Sequence, residues 1–371
     1  MPHIFTGADV FDGTTLHRSA SLRVVDGCIA DPGPGTEVRL DGGILAPGFL
    51  DLQVNGANGR MVDATSTPEM LADMCATHAR LGATGILPTL ITDVPDATAR
   101  VLAAGIAAAR RQTPGFLGLH LEGPHLDPRR KGAHDPALIR PMTDADLTLL
   151  LDAAGKLPTL LVTLAPEAAT PDQIARLARA GVIVSLGHSD CNHAQAVAAI
   201  AAGARCVTHL FNAMSQLSPR EPGLVGAALT GPVHAGLIAD GIHVAPETIR
   251  IAMAAAPDRL FLVSDAMAAA GSDLTELRLN GRRILRQDGR LTLEDGTLAG
   301  ADLTLPHAVS VMIRLGTPTD VALAMASARP AACIGRSDSL GHLLPGRAAD
   351  MVHLATDGTL QGVWQGGVRL L

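Results

Sequence analysis

Glu122, His188 and His209 are side chains of the kind that hold a divalent cation, and each stands at the end of a short apolar run. Glu122 closes Leu119-His120-Leu121-Glu122, His188 follows Val182–Leu186 within Gly187-His188-Ser189, and His209 follows Arg205–Thr208. One carboxylate with two imidazoles leaves a zinc ion an open position for water. Taken singly, either histidine could be a hydrogen-bonded residue at a strand end. Together with Asp265, in Val263-Ser264-Asp265-Ala266, the set points to hydrolysis. A carboxylate beside an activated water serves as general base and can later protonate a leaving nitrogen. His243 ends a further run, and His134 lies in the loop Lys131-Gly132-Ala133-His134, where it could face a ligand. Arg220-Glu221-Pro222-Gly223 sets a cation on a rigid turn, as a phosphate partner or in a surface ion pair. His120, one alternation before Glu122, reads as structural support, and His78 falls in a helix.

Side chains this far apart in the chain converge only if repeated elements carry them. Glu122 and His188 are 66 residues apart, and His188 and His209 are 21 apart. A barrel of about 250 residues spends roughly 31 on each strand–helix unit, so these spacings are about two units and one short one. The apolar runs at Phe49–Val54, Thr84–Thr89, Phe116–Leu121, Thr159–Leu164, Val182–Leu186, Arg205–Thr208, Ala235–Ala239 and Leu260–Ser264 predict short buried parallel strands. Helices are predicted over Glu69–Leu81, Ala97–Arg111, Asp172–Ala180 and Ala194–Ala202, with Pro68, Pro171 and Pro246 as start signals. The fold class is therefore α/β: a (β/α)8 barrel with its active site at the C-terminal ends of the strands.

Both ends of the chain read differently. Leu22–Val25, Asp26-Gly27 and Cys28–Ala30 form a hairpin pattern, and Asp357-Gly358 joins two more strand-like runs. Residues 1–47 and 348–371 are expected to make one small β-sandwich around a barrel at 48–347; two separate edge hairpins are the alternative. Three turn dipeptides, Asn280-Gly281, Asp288-Gly289 and Asp295-Gly296, mark a β-hairpin insertion at about 277–297, either a flap or mere decoration.

Composition narrows the classes. The 371 residues are 47% hydrophobic with a net charge of −7, which gives no basic face for nucleic acid. Tyr is absent and Trp364 is alone, so there is no aromatic platform for bases. No apolar run approaches the ~18 residues of a membrane span, and the N-terminal residues lack a secretory pattern. Cys28, Cys75, Cys191, Cys206 and Cys333 are odd in number and scattered, as expected for reduced thiols in the cytoplasm.

The motifs together resemble the amidohydrolase superfamily, and within it the N-acetylglucosamine-6-phosphate deacetylase family. The matching stretches run collinearly over nearly the whole chain. They are Pro47-Gly48-Phe49-Leu50-Asp51-Leu52-Gln53-Val54-Asn55-Gly56, Leu119–Pro124, Leu164-Ala165-Pro166-Glu167, Gly187-His188-Ser189, Thr208-His209-Leu210-Phe211-Asn212-Ala213-Met214, Arg220–Gly223, Ala239–Val244 and Ser264-Asp265-Ala266. The resemblance implies metal ligation by Glu122, His188 and His209, with Asp265 as catalytic acid/base and His134 polarising the acetyl carbonyl. It places Ala133, His134, Asn212, Ala213, Asp240 and His243 about the substrate, and Leu298-Ala299-Gly300-Ala301 in a substrate-contacting loop. It further implies a homodimer in which Arg220 reaches the partner's phosphate site. The implied reaction is hydrolysis of the acetamide of N-acetylglucosamine 6-phosphate, with one divalent ion, Zn2+, per subunit. The galacto epimer, a cyclic amide or aminated base, and a non-catalytic sugar-phosphate sensor stand as alternatives.

One position departs from the wider superfamily. Where many amidohydrolases carry His-x-His after the first strand, this chain has Gln53 and Asn55. Amides are poor zinc ligands beside imidazole or carboxylate, so a single-metal site is expected. The lysines, Lys131 and Lys156, fall on no strand end and bridge no metal pair.

Overall fold

In the computed structural model, which describes residues 1–279 and 281–371, eight parallel strands form the central sheet. They are β1 (Phe49–Val54), β2 (Ala83–Ile91), β3 (Leu119–Glu122), β4 (Leu160–Leu164), β5 (Ile183–Leu186), β6 (Cys206–Val207), β7 (His234–Leu237) and β8 (Leu260–Leu262). Each pairs in parallel with its sequence neighbour from β1 to β8. Nearly every residue in them is buried, because helices cover the outer face and side chains fill the interior. Between β8 and β1 no ladder forms; an isolated Val54–Ala266 bridge and an Asn55 N–H donated to the Ala266 carbonyl (2.7 Å) cross that seam.

Helices α1 (Pro68–Arg80), α2 (Pro95–Arg110), α3 (Asp144–Ala154), α4 (Pro171–Arg179), α5 (His193–Ala201), α6 (Gly223–Thr230), α7 (Pro246–Ala255) and α8 (Leu305–Arg314) follow the strands in turn. Their starts are written locally. Thr143, Thr170 and Asn192 close capping boxes with Asp146, Gln173 and Gln195, and proline opens α1, α4 and α7. The predicted strand Phe116–Leu121 is shorter and later than expected. Gly118 adopts a φ of +133°, which breaks the strand before Leu119, and a Cβ there would meet the Thr159 carbonyl at 1.9 Å. The predicted Arg205–Thr208 likewise contracts to Cys206–Val207.

The chain termini build one sandwich rather than separate hairpins. A four-stranded sheet orders Cys28–Ala30, Leu22–Val25, His3–Thr6 and Thr36–Arg39. A six-stranded sheet mixes both ends of the chain: Ile44–Pro47 lies between Asp9–Phe11 and Met351–Leu354. Phe5, Val24, Ile29, Leu45, Met351 and Trp364 fill the space between the sheets, with Phe5 edge-on to Trp364 at 5.2 Å.

After β8 the chain makes a four-stranded antiparallel meander: β9 (Glu276–Leu279), β10 (Arg282–Gln287), β11 (Arg290–Leu293) and β12 (Leu298–Ala301). Alternation aims Leu277, Leu279, Ile284, Leu291 and Leu293 inward, onto Met267, Ala268 and Ala269. The insertion thus extends past residue 297, and Leu298–Ala301 is a strand rather than a loop. The Asn280 of the predicted Asn280-Gly281 turn lies outside the described residues. No helix among the described residues is long and apolar enough to cross a membrane.

Candidate active site

The barrel's C-terminal rim carries an unusual backbone. His188 (φ +47°), His209 (φ +26°) and Asp265 (φ +51°) all take the left-handed conformation. For residues with a Cβ that costs on the order of 1–3 kcal/mol each, so surrounding contacts must enforce it. They do: the His188 carbonyl accepts from Asp127 N–H (2.8 Å), and the Asp265 carbonyl accepts from Ala301 N–H (2.9 Å). The turn out of each strand swings the side chain over the barrel mouth.

There Glu122, His188 and His209 meet. Glu122 Oε1 lies 3.0 Å from His209 Nε2 and 3.3 Å from His188 Nε2, and the two Nε2 atoms are 3.0 Å apart. Ligands at about 2.0–2.1 Å from a tetrahedral zinc ion stand about 3.3 Å from one another, so the triangle fits such a cation. The tautomer strengthens that fit. His188 Nδ1 donates to the Arg130 carbonyl (2.8 Å), which turns Nε2 into the triangle. With Nδ1 so engaged, Nε2 is the nitrogen that would ligate a cation shared with the Glu122 oxygen and the second imidazole. His209 Nδ1 has no hydrogen-bond partner among the described residues. Burial pushes the Glu122 pKa up, but the His188 and His209 imidazoles bring it well below the usual carboxylate range, so the group is ionised.

His134 stands as close, with ligand atoms of Glu122, His134 and His188 within 4.8 Å of one another, yet its tautomer is the opposite one. The Thr92 N–H donates to His134 Nδ1 (3.3 Å), and the Thr92 hydroxyl lies 2.8 Å from the same atom. The proton therefore resides on Nε2, 3.7 Å from Glu122 Oε2, and points into the cavity as a donor. Burial, then the neighbouring His188, lowers the His134 pKa to about 3, so the ring is neutral. Of the four crowded side chains, Glu122, His188 and His209 make the tighter triangle, and His134 turns an N–H toward Glu122 from its edge.

Asp265 faces this group across the cavity. Its Oδ1 accepts from Asn55 Nδ2 (2.7 Å) and Gln53 Nε2 (3.2 Å), and Gln53 also donates to Glu122 Oε1 (3.0 Å). Burial and the charge of Glu122 raise the Asp265 pKa to about 6. Gln53 and Asn55 thus orient two carboxylates.

A cavity of about 390 Å3 spans these residues and extends toward Asn212, Ala213 and His243, roofed by Leu279 and residues 296–300 of the meander. Ala133, His134, Asn212, Ala213, His243, Leu298, Ala299 and Gly300 line it. Three residues singled out in the sequence do not. Asp240 stands behind His243, holding its Nδ1 at 2.6 Å; Ala301 is buried at the end of β12; and Arg220 is exposed. Sequence reasoning missed Thr92, whose contribution to His134 includes a backbone N–H that no side-chain pattern reveals. It also missed Ile91, Ile238 and Met267, which give the cavity its apolar wall. His120 lies below the site, bonded to Thr163 Oγ1 at 2.7 Å.

Comparison with known proteins agrees with this geometry. The profile of the Amidohydrolase family matches residues 44–370. An N-acetylgalactosamine-6-phosphate deacetylase of Shewanella sp. (strain ANA-3) is 38% identical, over 99% of this chain and 95% of its own. The N-acetylglucosamine-6-phosphate deacetylase of Haemophilus influenzae is 35% identical, over 85% of this chain and 83% of its own. The crystal structure of N-acetylglucosamine-6-phosphate deacetylase from Pasteurella multocida superposes with a TM-score of 0.95 at 32% identity, covering 100% of this chain and 99% of that one. The chain belongs to the amidohydrolase family.

Proposed function

We propose that this protein hydrolyses the acetamide of N-acetylglucosamine 6-phosphate, releasing glucosamine 6-phosphate and acetate. The observation that carries the reading is the pair of opposed tautomers. A lone pair on His188 Nε2 and an N–H on His134 Nε2 both face one cavity, with Asp265 on its far side. Glu122, His188 and His209 would hold one divalent ion, Zn2+ by the chemistry of the donors. When bound, that ion acidifies a water molecule and polarises the acyl oxygen.

The chain's own residues do the rest. Asp265 Oδ1 is occupied by two amide donors, so Oδ2 accepts the proton of the attacking water. The same carboxyl then delivers that proton to the departing nitrogen. His134 Nε2–H donates to the acyl oxygen as negative charge develops there. Asn212, Ala213 and His243 lie at the other end of the cavity and would bind the 6-phosphate, with Asp240 fixing the His243 ring. Arg220 is exposed and off the cavity, in accord with donation to the partner's phosphate site in a homodimer. We assign catalysis to 48–347 and scaffolding to 1–47 with 348–371. Five free thiols, four of them buried, suit the cytoplasm.

Acetate release by the purified, metal-loaded protein tests the reading, and its absence would make the chain a sugar-phosphate sensor. The galacto epimer is a second reading, favoured by the 38% identity to an N-acetylgalactosamine-6-phosphate deacetylase. Comparing kcat/KM on the two epimers decides between them.

A further inference from the structure

The seam between β8 and β1 is where the barrel lacks a ladder, and it is also where Asp265 leaves the sheet. Asp51 and Gln53 alternate along β1 and Asn55 continues the alternation just past its end, so the three project from one face. Gln53 and Asn55 bind the Asp265 carboxylate, but Asp51 touches no group that takes part in the chemistry. It is 1% exposed and, among the described residues, pairs with no cation. Both its oxygens instead accept the Ser264 N–H, at 3.2 Å each, and Oδ1 also accepts the Gln53 N–H at 3.2 Å. Ser264 Oγ in turn accepts the Ala266 N–H at 3.1 Å. The residues on either side of Asp265 are thus tethered while Asp265 itself sits at φ +51°.

A buried carboxylate without a cation is costly, and here burial lifts its pKa to about 7 against the opposing pull of Ser264 and Gln53. An uncharged residue would serve a purely apolar seam better. We propose that Asp51 is a positioning residue: by holding the Ser264 amide across the open seam it fixes the strained backbone of Asp265, so that Oδ2 meets the water and the leaving nitrogen. Gln53 and Asn55 set the carboxylate from the side-chain end, and Asp51 sets it from the main chain. The inference rests on the reading of Asp265 as the proton acceptor.

The test uses the full-length, metal-loaded protein. Asp51→Ala should lower kcat by about 10- to 100-fold, the scale on which small misplacements act. KM should change by less than about two-fold, with metal content intact. Asp51→Asn keeps an acceptor for the Ser264 N–H in the same shape and should recover most of that loss. In an Asp265→Asn background, Asp51→Ala should cost less than about two-fold more, because the group it positions is already disabled. Losses that multiply in the double variant, or that fall on KM or metal content, would overturn the proposal. Hydrogen exchange gives a readout without turnover. The segment 262–267 should exchange at least about ten-fold faster in Asp51→Ala, with β3–β5 unchanged. Unchanged exchange in 262–267 overturns the proposal even if the protein proves inactive on this substrate. A wild-type chain that releases no acetate, or an Asp265→Asn variant with full turnover, defeats the functional reading instead.

Discussion

Two imidazoles whose ring centres are 4.3 Å apart do opposite work because different backbone groups hold their Nδ1 atoms. A carbonyl accepts a hydrogen bond from His188 Nδ1, and an amide N–H donates one to His134 Nδ1. His134→Ala should therefore cost about 10²–10³-fold in kcat, as loss of a preorganised oxyanion donor does, while bound metal measured by elemental analysis stays constant. Asp265→Asn should lower kcat by at least about 10²–10⁴-fold, again with metal retained. The sign of the pH effect follows from the same group. Asp265 must be ionised to accept a proton, so kcat/KM falls as pH drops through its pKa. That value is about 6 in the protein alone, and a cation in the triangle draws it lower. The acid limb of the pH–rate profile should accordingly lie below about pH 6 and vanish in Asp265→Asn.

At the scale of elements, most of the barrel was legible because its signals are local. Prolines and capping residues mark helix starts, and apolar runs mark strands. Where reading failed, the cause was a contact distant in sequence. Gly118 delays the start of β3 because the Thr159 backbone crowds it, and Leu298–Ala301 is held as a strand from afar by the Ala266–Ala301 bridge as well as by β11. The triangle was legible from residue types at strand ends, whereas Asp240, placed about the substrate by the resemblance, stands behind the His243 ring and off the cavity wall. The capping box of α3 gives a measurable case. Asp146 accepts from Thr143 N–H (2.9 Å) and Arg140 Nη2 (2.6 Å), contacts that outweigh burial and hold its pKa below the usual range. Such a depressed folded-state pKa adds stability above the unfolded value of about 3.9 and loses it as pH falls through the folded one. Asp146→Asn should cost roughly 1 kcal/mol at neutral pH by thermal unfolding, and the gap to wild type should close in acid below about pH 4.

For the whole molecule, metal and assembly are the levers. Gln53 and Asn55 spend their donors on carboxylates, so elemental analysis should return about one tightly held divalent ion per chain. Chelation should abolish turnover, and one equivalent should restore it; two tightly held ions would contradict the single-metal reading. Arg220→Ala should raise KM for the phosphorylated sugar far more than for N-acetylglucosamine, since arginine suits phosphate through its bidentate fork. Mixing Arg220→Ala with Asp265→Asn chains should restore up to about half the wild-type activity per heterodimer, as one two-fold-related site regains both residues. No recovery in a heterodimer confirmed by mass would defeat the donation of Arg220 across the interface.

The mixed sheet of the sandwich bears on how the chain is born. His353 Nε2 bonds the Gly42 carbonyl at 2.7 Å, and 311 residues separate them. During synthesis, Ile44–Pro47 emerges early and must wait for Met351–Leu354, with one edge unpaired, until almost the whole barrel has been made. Closing so long a loop costs little more than closing a short one, since the penalty grows only with the logarithm of length. The delay is one of time: a chain cut short on the ribosome keeps a bare strand edge that marks it as unfinished, to be bound by a chaperone or to aggregate.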